Sequence, residues 1–190
     1  RAAGAEAVIL PIAPDDADAI ATLAQGARGC DMLVTTGGAS VGEHDLVQKA
    51  LVPGGFALDF WKIAMRPGKP LIWGRLGETP MLGLPGNPVS ALVCAVVFLL
   101  PAVAVMAGLP AAPTPSEAAL AGADLAANDQ REDYLRCTLD GDVATPFSRQ
   151  DSSMLKTLAR ADALLIRAPH AAALPAGSPV RIIRLSALGV

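Results

Sequence analysis

Apolar positions along this 190-residue chain change texture part-way. Up to Leu109, short apolar runs alternate with stretches whose apolar residues recur every three or four positions. The runs from Glu6 to Ile12, Cys30 to Thr35, Phe56 to Met65, Leu71 to Trp73 and Met81 to Leu84 read as strands. Ile20, Leu23, Ala24 and Ala27 share one helical face behind Asp15 and Asp16, and Leu46, Val47, Ala50 and Leu51 share another. Strands alternating with helices predict an α/β fold, a three-layer and mostly parallel sheet with helices on both faces.

From Ala91 to Leu109 the chain carries almost no polar side chain, long enough to raise a transmembrane reading. Pro101 inside the run, the absence of basic flanks and a polar turn just before it argue instead for a helix buried on most sides, or one lying in a subunit interface. Residues 110–117, rich in proline, read as a linker between an α/β domain (1–109) and a second domain (118–190). In the latter, Tyr134 to Leu139 alternates, and Leu164 to Ala168 and Val180 to Leu185 are short apolar runs between proline and glycine turns. Met154, Leu155 and Leu158 suggest one short helix. The second domain therefore reads as small, β-rich and barrel-like.

Composition narrows the classes. Apolar residues make up 52% of the chain and mean hydropathy is +0.43, enough for a packed core. A net charge of −3 and 4% aromatics argue against nucleic acid, which needs cations and stacking platforms. Cys30, Cys94 and Cys137 are far apart and odd in number, which suits a reducing, cytoplasmic setting rather than a disulfide framework. The first residues read like the tail of a helix entering a strand, so the chain is expected to begin inside a domain.

Chemistry concentrates in three segments. Thr35 to Asp45 (TTGGASVGEHD) joins a strand to a helix. Glycines there let backbone approach a ligand, and a helix start aims unpaired N–H groups at negative charge. Leu84 to Ser90 (LPGNPVS) is a second such turn, whose structural alternative is simply a helix start capped by Asn87 with Pro88 at its first position. Between them, Phe60 to Pro70 (FWKIAMRPGKP) gathers Lys62, Arg66 and Lys69. In an extended segment Lys62 and Arg66 share a face, and with the glycine turns they describe a site for a phosphorylated or oxyanionic ligand. A solvated edge strand is the alternative, and charge does not separate the two. Asp45, Asp15 and Asp16 suit helix starts, or a Mg²⁺ ion held by one or two carboxylates and ligand phosphates.

Together, GGASVGEHD, FWKIAMRPGKP and LPGNPVSA resemble the molybdopterin molybdenumtransferases, the MoeA and gephyrin E-domain family. The stretch QDSSML at 150–155, with LARADAL at 158–164, is similar to that family's C-terminal domain, which the related molybdopterin adenylyltransferases lack. The resemblance covers essentially the whole chain. It implies insertion of molybdate into adenylylated molybdopterin with Mg²⁺-dependent release of AMP, in a cytoplasmic homodimer that neither binds nucleic acid nor enters membranes. It further implies that Asp45 and Asp15 handle metal or molybdate, and that Lys62 and Arg66 hold molybdate or phosphate. Gly37, Gly38, Ser40, Gly42, Lys69, Pro85, Gly86, Asn87 and Pro88 would then hold the pterin phosphate and nucleotide. Arg66 stands where the family more often has lysine, and Ala39 where valine is commoner. The family's N-terminal domains are missing, so the chain resembles a C-terminal fragment. An adenylyltransferase for the same pterin, or a non-catalytic gephyrin-like peptide-binding scaffold, are the competing functions.

Overall fold

A computed structural model describes residues 3–38, 46–151 and 155–189. The first regular element is helix α1 (Ala17–Ala24), where the Asp16 carboxylate accepts the Ala19 N–H at 2.8 Å. Strand β1 (Leu33–Thr36), helix α2 (Leu46–Leu51), strand β2 (Phe56–Lys62), the two-residue strand β3 (Met65–Arg66), strand β4 (Pro70–Leu76) and strand β5 (Thr79–Leu84) follow. Four of these strands make one sheet in the order β1-β5-β4-β2. Only β1 and β5 are parallel; β4 is antiparallel to both β5 and β2.

The expectation of a mostly parallel sheet is therefore corrected: the sheet is mixed. The β4–β5 connection is a tight turn through Gly77 (φ +60°), which only an antiparallel pair can use. Helices do cover both faces. Ala24, Ala27, Val47 and Leu51 pack with Leu33, Phe56, Ile72 and Met81 on one side. On the other, Val93, Cys94 and Val96 pack with Leu71, Leu82 and Leu84.

The expected strand from Glu6 to Ile12 is absent. This segment has no ladder partner, and Val8, Ile9 and Ile12 are exposed, Ile12 at 97%. An apolar run becomes a strand only where an edge accepts its hydrogen bonds. Likewise, the expected strand from Phe56 to Met65 is broken. It ends at Lys62 after two register shifts, and Met65–Arg66 pairs with the second sheet instead.

The long apolar segment forms α3 (Pro88–Cys94), a π-helical turn (Ala95–Leu99) and α4 (Leu100–Met106). Pro101 explains the π turn. It has no N–H to offer, and the Leu100 N–H bonds the Ala95 carbonyl, five residues back. The Val96 carbonyl is thereby left without a helical donor, and the buried Thr114 hydroxyl donates to it. One side chain of the proline-rich stretch is thus fastened to the helix.

The prediction of a helix buried on most sides fails. Only 28% of the apolar window is buried, and α4 has no buried residue. By length and composition the span 88–106 is also the one helix among the described residues that could cross a membrane.

Strands β6 (Glu117–Ala121), β7 (Glu132–Asp140), β8 (Val143–Pro146), β9 (Ala163–Arg167) and β10 (Pro179–Arg184) form the second sheet, and a one-turn helix, α5 (Leu155–Leu158), lies between β8 and β9. The sheet closes on itself as β7-β8-β6-β10-β9 through the β7–β9 pairing; the β-rich, barrel-like domain expected from the sequence is a barrel of five strands. Small side chains suit so tight a barrel: Ala119, Ala121, Ala144, Ala163 and Cys137 fill it with Leu165 and Ile182. On the outside, Tyr134, Leu164, Ile183 and Leu185 pack against the Val93–Val96 stretch, so this helix is wedged between sheet and barrel.

Candidate functional site

Because β1 and β5 are parallel neighbours, with Thr36 beside Leu84, the chain leaves both at the same end of the sheet. Both glycine turns therefore start there, and they touch. The Gly37 N–H donates to the Leu84 carbonyl at 3.1 Å, and a Cβ placed on Gly86 would lie 3.3 Å from the Gly37 Cα. Gly37 and Gly38 adopt φ of +85° and +68°, and a Cβ on Gly38 would collide with Val47.

The second turn is not an anion-binding helix start. Asn87 Oδ1 accepts the N–H groups of Val89 (3.1 Å) and Ser90 (3.3 Å), its carbonyl accepts Ala91, and Pro88 has no N–H to give. With its first amides spoken for, the α3 terminus can offer a ligand only the close approach of Gly86, beside the buried Pro85. The helix-capping alternative for Asn87 and Pro88 holds.

The cationic segment arrives at the same end. Strand β4 is antiparallel to β5 with Ile72 beside Gly83, and Lys62 of β2 lies beside Pro70. Exposed Lys62 and Lys69 thus flank one closure, tied by the Ile63 N–H to the Lys69 carbonyl at 3.1 Å. The Lys62 Nζ rests 3.8 Å from the centre of the Trp61 ring. Three strand spacings separate β1 from β2, about 14 Å of sheet edge. Gly68, φ +117°, packs onto the Cys94 thiol, which donates to its carbonyl at 3.8 Å.

Arg66 goes elsewhere. The chain breaks at Ile63–Ala64, so Lys62 and Arg66 do not share a face, contrary to expectation. Strand β3 runs parallel to β7, with Arg66 beside Asp133. The guanidinium forks that carboxylate, Nε to Oδ1 at 2.9 Å and Nη2 to Oδ2 at 2.5 Å, and reaches Asp129 at 3.3 Å and Asn128 at 3.4 Å. The Asp133 hydrogen bonds raise the Arg66 pKa above the ordinary arginine value.

Asp15 is exposed ahead of α1, while its neighbour Asp16 caps that helix. Asp45, Ser40 and Gly42 lie outside the described residues. Among the described residues there is no group of three or more His, Cys, Asp or Glu side chains placed to hold a metal ion.

Sequence reasoning missed Arg136. It is fully buried on β7, with Nε 3.2 Å from Gln150 Oε1 and Nη1 3.0 Å from the Asp151 carbonyl. Its Nη2 is buried without a hydrogen-bond partner among the described residues, and burial lowers its pKa from the usual arginine value. Arg136 shares the outer face of β7 with Tyr134 and is covered there by Gln150 and Asp151, so the strand's alternation gave no sign of its burial.

Residues 1–105 match the family model described as a probable molybdopterin binding domain, and residues 118–185 match the MoeA C-terminal region, domain IV. The chain belongs to the MoeA family. It is 37% identical over 173 residues to molybdopterin molybdenumtransferase 2 of Mycobacterium tuberculosis, covering 87% of this chain and 43% of that protein. A molybdopterin molybdenumtransferase of Haemophilus influenzae is 46% identical over 78 residues, 41% of this chain and 19% of that one. The crystal structure of a molybdopterin biosynthesis moea protein from Pyrococcus horikosii superposes with a TM-score of 0.77 at 25% identity, over 95% of this chain and 44% of that one. The chain thus spans less than half the length of these relatives.

Proposed function

We propose that this MoeA-family chain carries the anion-gathering part of a molybdopterin molybdenumtransferase, which inserts molybdate into adenylylated molybdopterin and releases AMP. One observation carries the reading: the backbone contact of Gly37 with Gly86 opens at the same sheet end as Lys62 and Lys69. Bare backbone at Gly37, Gly38 and Gly86 lets a pterin phosphate lie close. Lys62 and Lys69, exposed and without an ion pair among the described residues, offset the charge of phosphate or molybdate across that edge. Ser40 and Gly42, following Gly38 in sequence, would join in holding the phosphate in this reading. Asp15 with Asp45 would hold Mg²⁺, whose chemistry is to neutralise the phosphoanhydride oxygens.

We read the protein as a cytoplasmic homodimer, and the half-exposed apolar helix 88–106 as an interface rather than a membrane span. Its wedging of Val93 and Val96 between sheet and barrel supports that choice. The same apolar surface is what a peptide-binding scaffold would need, which keeps that second reading in play.

The test uses full-length protein with purified adenylylated molybdopterin. Molybdate-dependent release of AMP is the expected result. Transfer of AMP from Mg-ATP onto free molybdopterin would replace the proposal with an adenylyltransferase. Stoichiometric capture of a peptide, indifferent to pterin and molybdate, would replace it with a scaffold.

A further inference from the structure

We propose that Arg66 is a positioning residue: it clamps the barrel against the sheet that carries the glycine turns, and it does not ligate the oxyanion. The receptor for its guanidinium is built into the barrel. The Asp133 side chain is only 8% exposed, and its two oxygens take the Nε and Nη2 hydrogens in the fork geometry that arginine alone provides. Asn128 is itself fixed, donating through Nδ2 to the carbonyls of Arg131 (2.7 Å), Arg167 (3.0 Å) and Ala168 (3.0 Å), so its Oδ1 faces Nη2 without freedom to turn away. Asp129 adds a second carboxylate, already oriented by the Arg131 N–H. The Arg131 guanidinium also pairs with Asp129, at 3.2 Å, so two guanidinium groups are matched by two carboxylates and the Arg66 charge is already spent within the cluster rather than held free for a dianion.

The clamp reinforces backbone pairing. Met65 and Arg66 ladder with Glu132 and Asp133, and the Glu132 N–H donates to the Ala64 carbonyl at 2.9 Å. This short ladder is where the segment bearing Lys62 and Lys69 meets the strand bearing Arg136, three residues beyond Asp133. Arg66 therefore fixes where the two cation-bearing parts sit relative to each other. Its influence on the reaction is exerted through Lys62 and Lys69, which the same segment carries.

The kinetic arm of the test rests on the transferase reading; the stability arm does not. In full-length protein, R66M, D133L, the double variant and R66K are compared by denaturant unfolding, by proteolysis within residues 108–116, and by AMP release against molybdate concentration. Removing one partner strands the other, whereas an apolar pair can refill the contact, so each single change should destabilise and the double should recover most of the loss. R66M should lower kcat about tenfold with the KM for molybdate held within about twofold, and D133L should restore kcat in the double variant. R66K, which keeps charge but loses the fork, should resemble R66M more than wild type. The clamp is overturned by additive destabilisation in the double variant. It is also overturned if R66M raises the molybdate KM about tenfold or more and D133L does not rescue it, or if R66K keeps wild-type kcat and stability. Failure of wild-type protein to release AMP sinks the transferase reading, and the stability cycle then decides the clamp by itself.

Discussion

Gly86→Ala tests the contact between the two turns most directly. The added methyl would sit 3.3 Å from the Gly37 Cα, inside the 3.5–4.0 Å optimum for carbon atoms, and its neighbour is main chain rather than a side chain that can swing away. Gly37 cannot yield freely, because its N–H is held by the Leu84 carbonyl. The turns must therefore separate by a few tenths of an ångström. Overpacking of this kind costs about 1–3 kcal/mol. Misplacement near 1 Å costs on the order of 10²-fold in rate, so a shift of this smaller size should lower kcat/KM for the pterin substrate by roughly tenfold.

Stability and activity must be separated, and Gly77→Ala supplies the control. Gly77 has φ +60° with open space around it, in the β4–β5 turn at the opposite end of the sheet. Alanine there pays only the left-handed strain, about 1–2 kcal/mol. The two variants should unfold at similar denaturant concentrations, while only Gly86→Ala loses AMP release under conditions where both are folded. Equal activities for the two variants, or equal losses, would refute the placement of the ligand at the Gly37–Gly86 contact.

Thr114→Val keeps shape but removes the donor to the Val96 carbonyl, leaving a buried acceptor unpaired; a loss of about 1–3 kcal/mol in denaturant unfolding is expected, and less than about 0.5 would mean the π turn satisfies itself. Lys62→Ala should lower kcat for AMP release about 10²-fold or more while costing under about 1 kcal/mol of stability, since only its stacking on Trp61 is lost. Thiol labelling at pH 8 should modify exposed Cys30 and spare Cys94 and Cys137, whose burial pushes their pKa values up to about 12. For both buried thiols the folded pKa lies above the unfolded one, so unfolded chain loses its protons first. Stability should accordingly fall as pH rises from about 9 toward 12, and an alkaline unfolding midpoint indifferent to Cys94→Ala would contradict this for that thiol.

Periodicity revealed the elements that satisfy themselves locally. The β1 and β5 runs, the α1 and α2 faces and the alternating strands of the barrel all carry their pattern within a few residues. Partners distant in sequence decided the rest. Glu6 to Ile12 has the composition of a strand, but composition does not supply an edge to pair with. Strand direction in β4 depends on the Gly77 turn rather than on the apolar pattern, which is the same for parallel and antiparallel ladders. The turns of the candidate site were legible because glycines following two apolar runs mark strand ends whatever the sheet order. Arg66 was not, because the carboxylate that captures it lies 67 residues further along the chain.

The cations of this region separate according to whether folding has already used their charge. Arg66 is committed to Asp133, and Arg136 to Gln150 and Asp151, with one guanidinium nitrogen buried and unbonded among the described residues. Lys62 and Lys69 keep their ammonium groups in solvent. Arg66 belongs to the junction with the barrel and the two lysines to the sheet edge, with only three residues, Ile63 to Met65, between Lys62 and Arg66, and the Pro67–Gly68 bend between Arg66 and Lys69. That bend is held from below by Cys94 on the wedge helix, whose neighbours Val93 and Val96 contact sheet and barrel alike. A rigid wedge and a short tether leave few ways to move the barrel without moving Lys69. Changes in the helix core at Val93 should therefore alter anion affinity at a lysine they never touch, through geometry rather than charge.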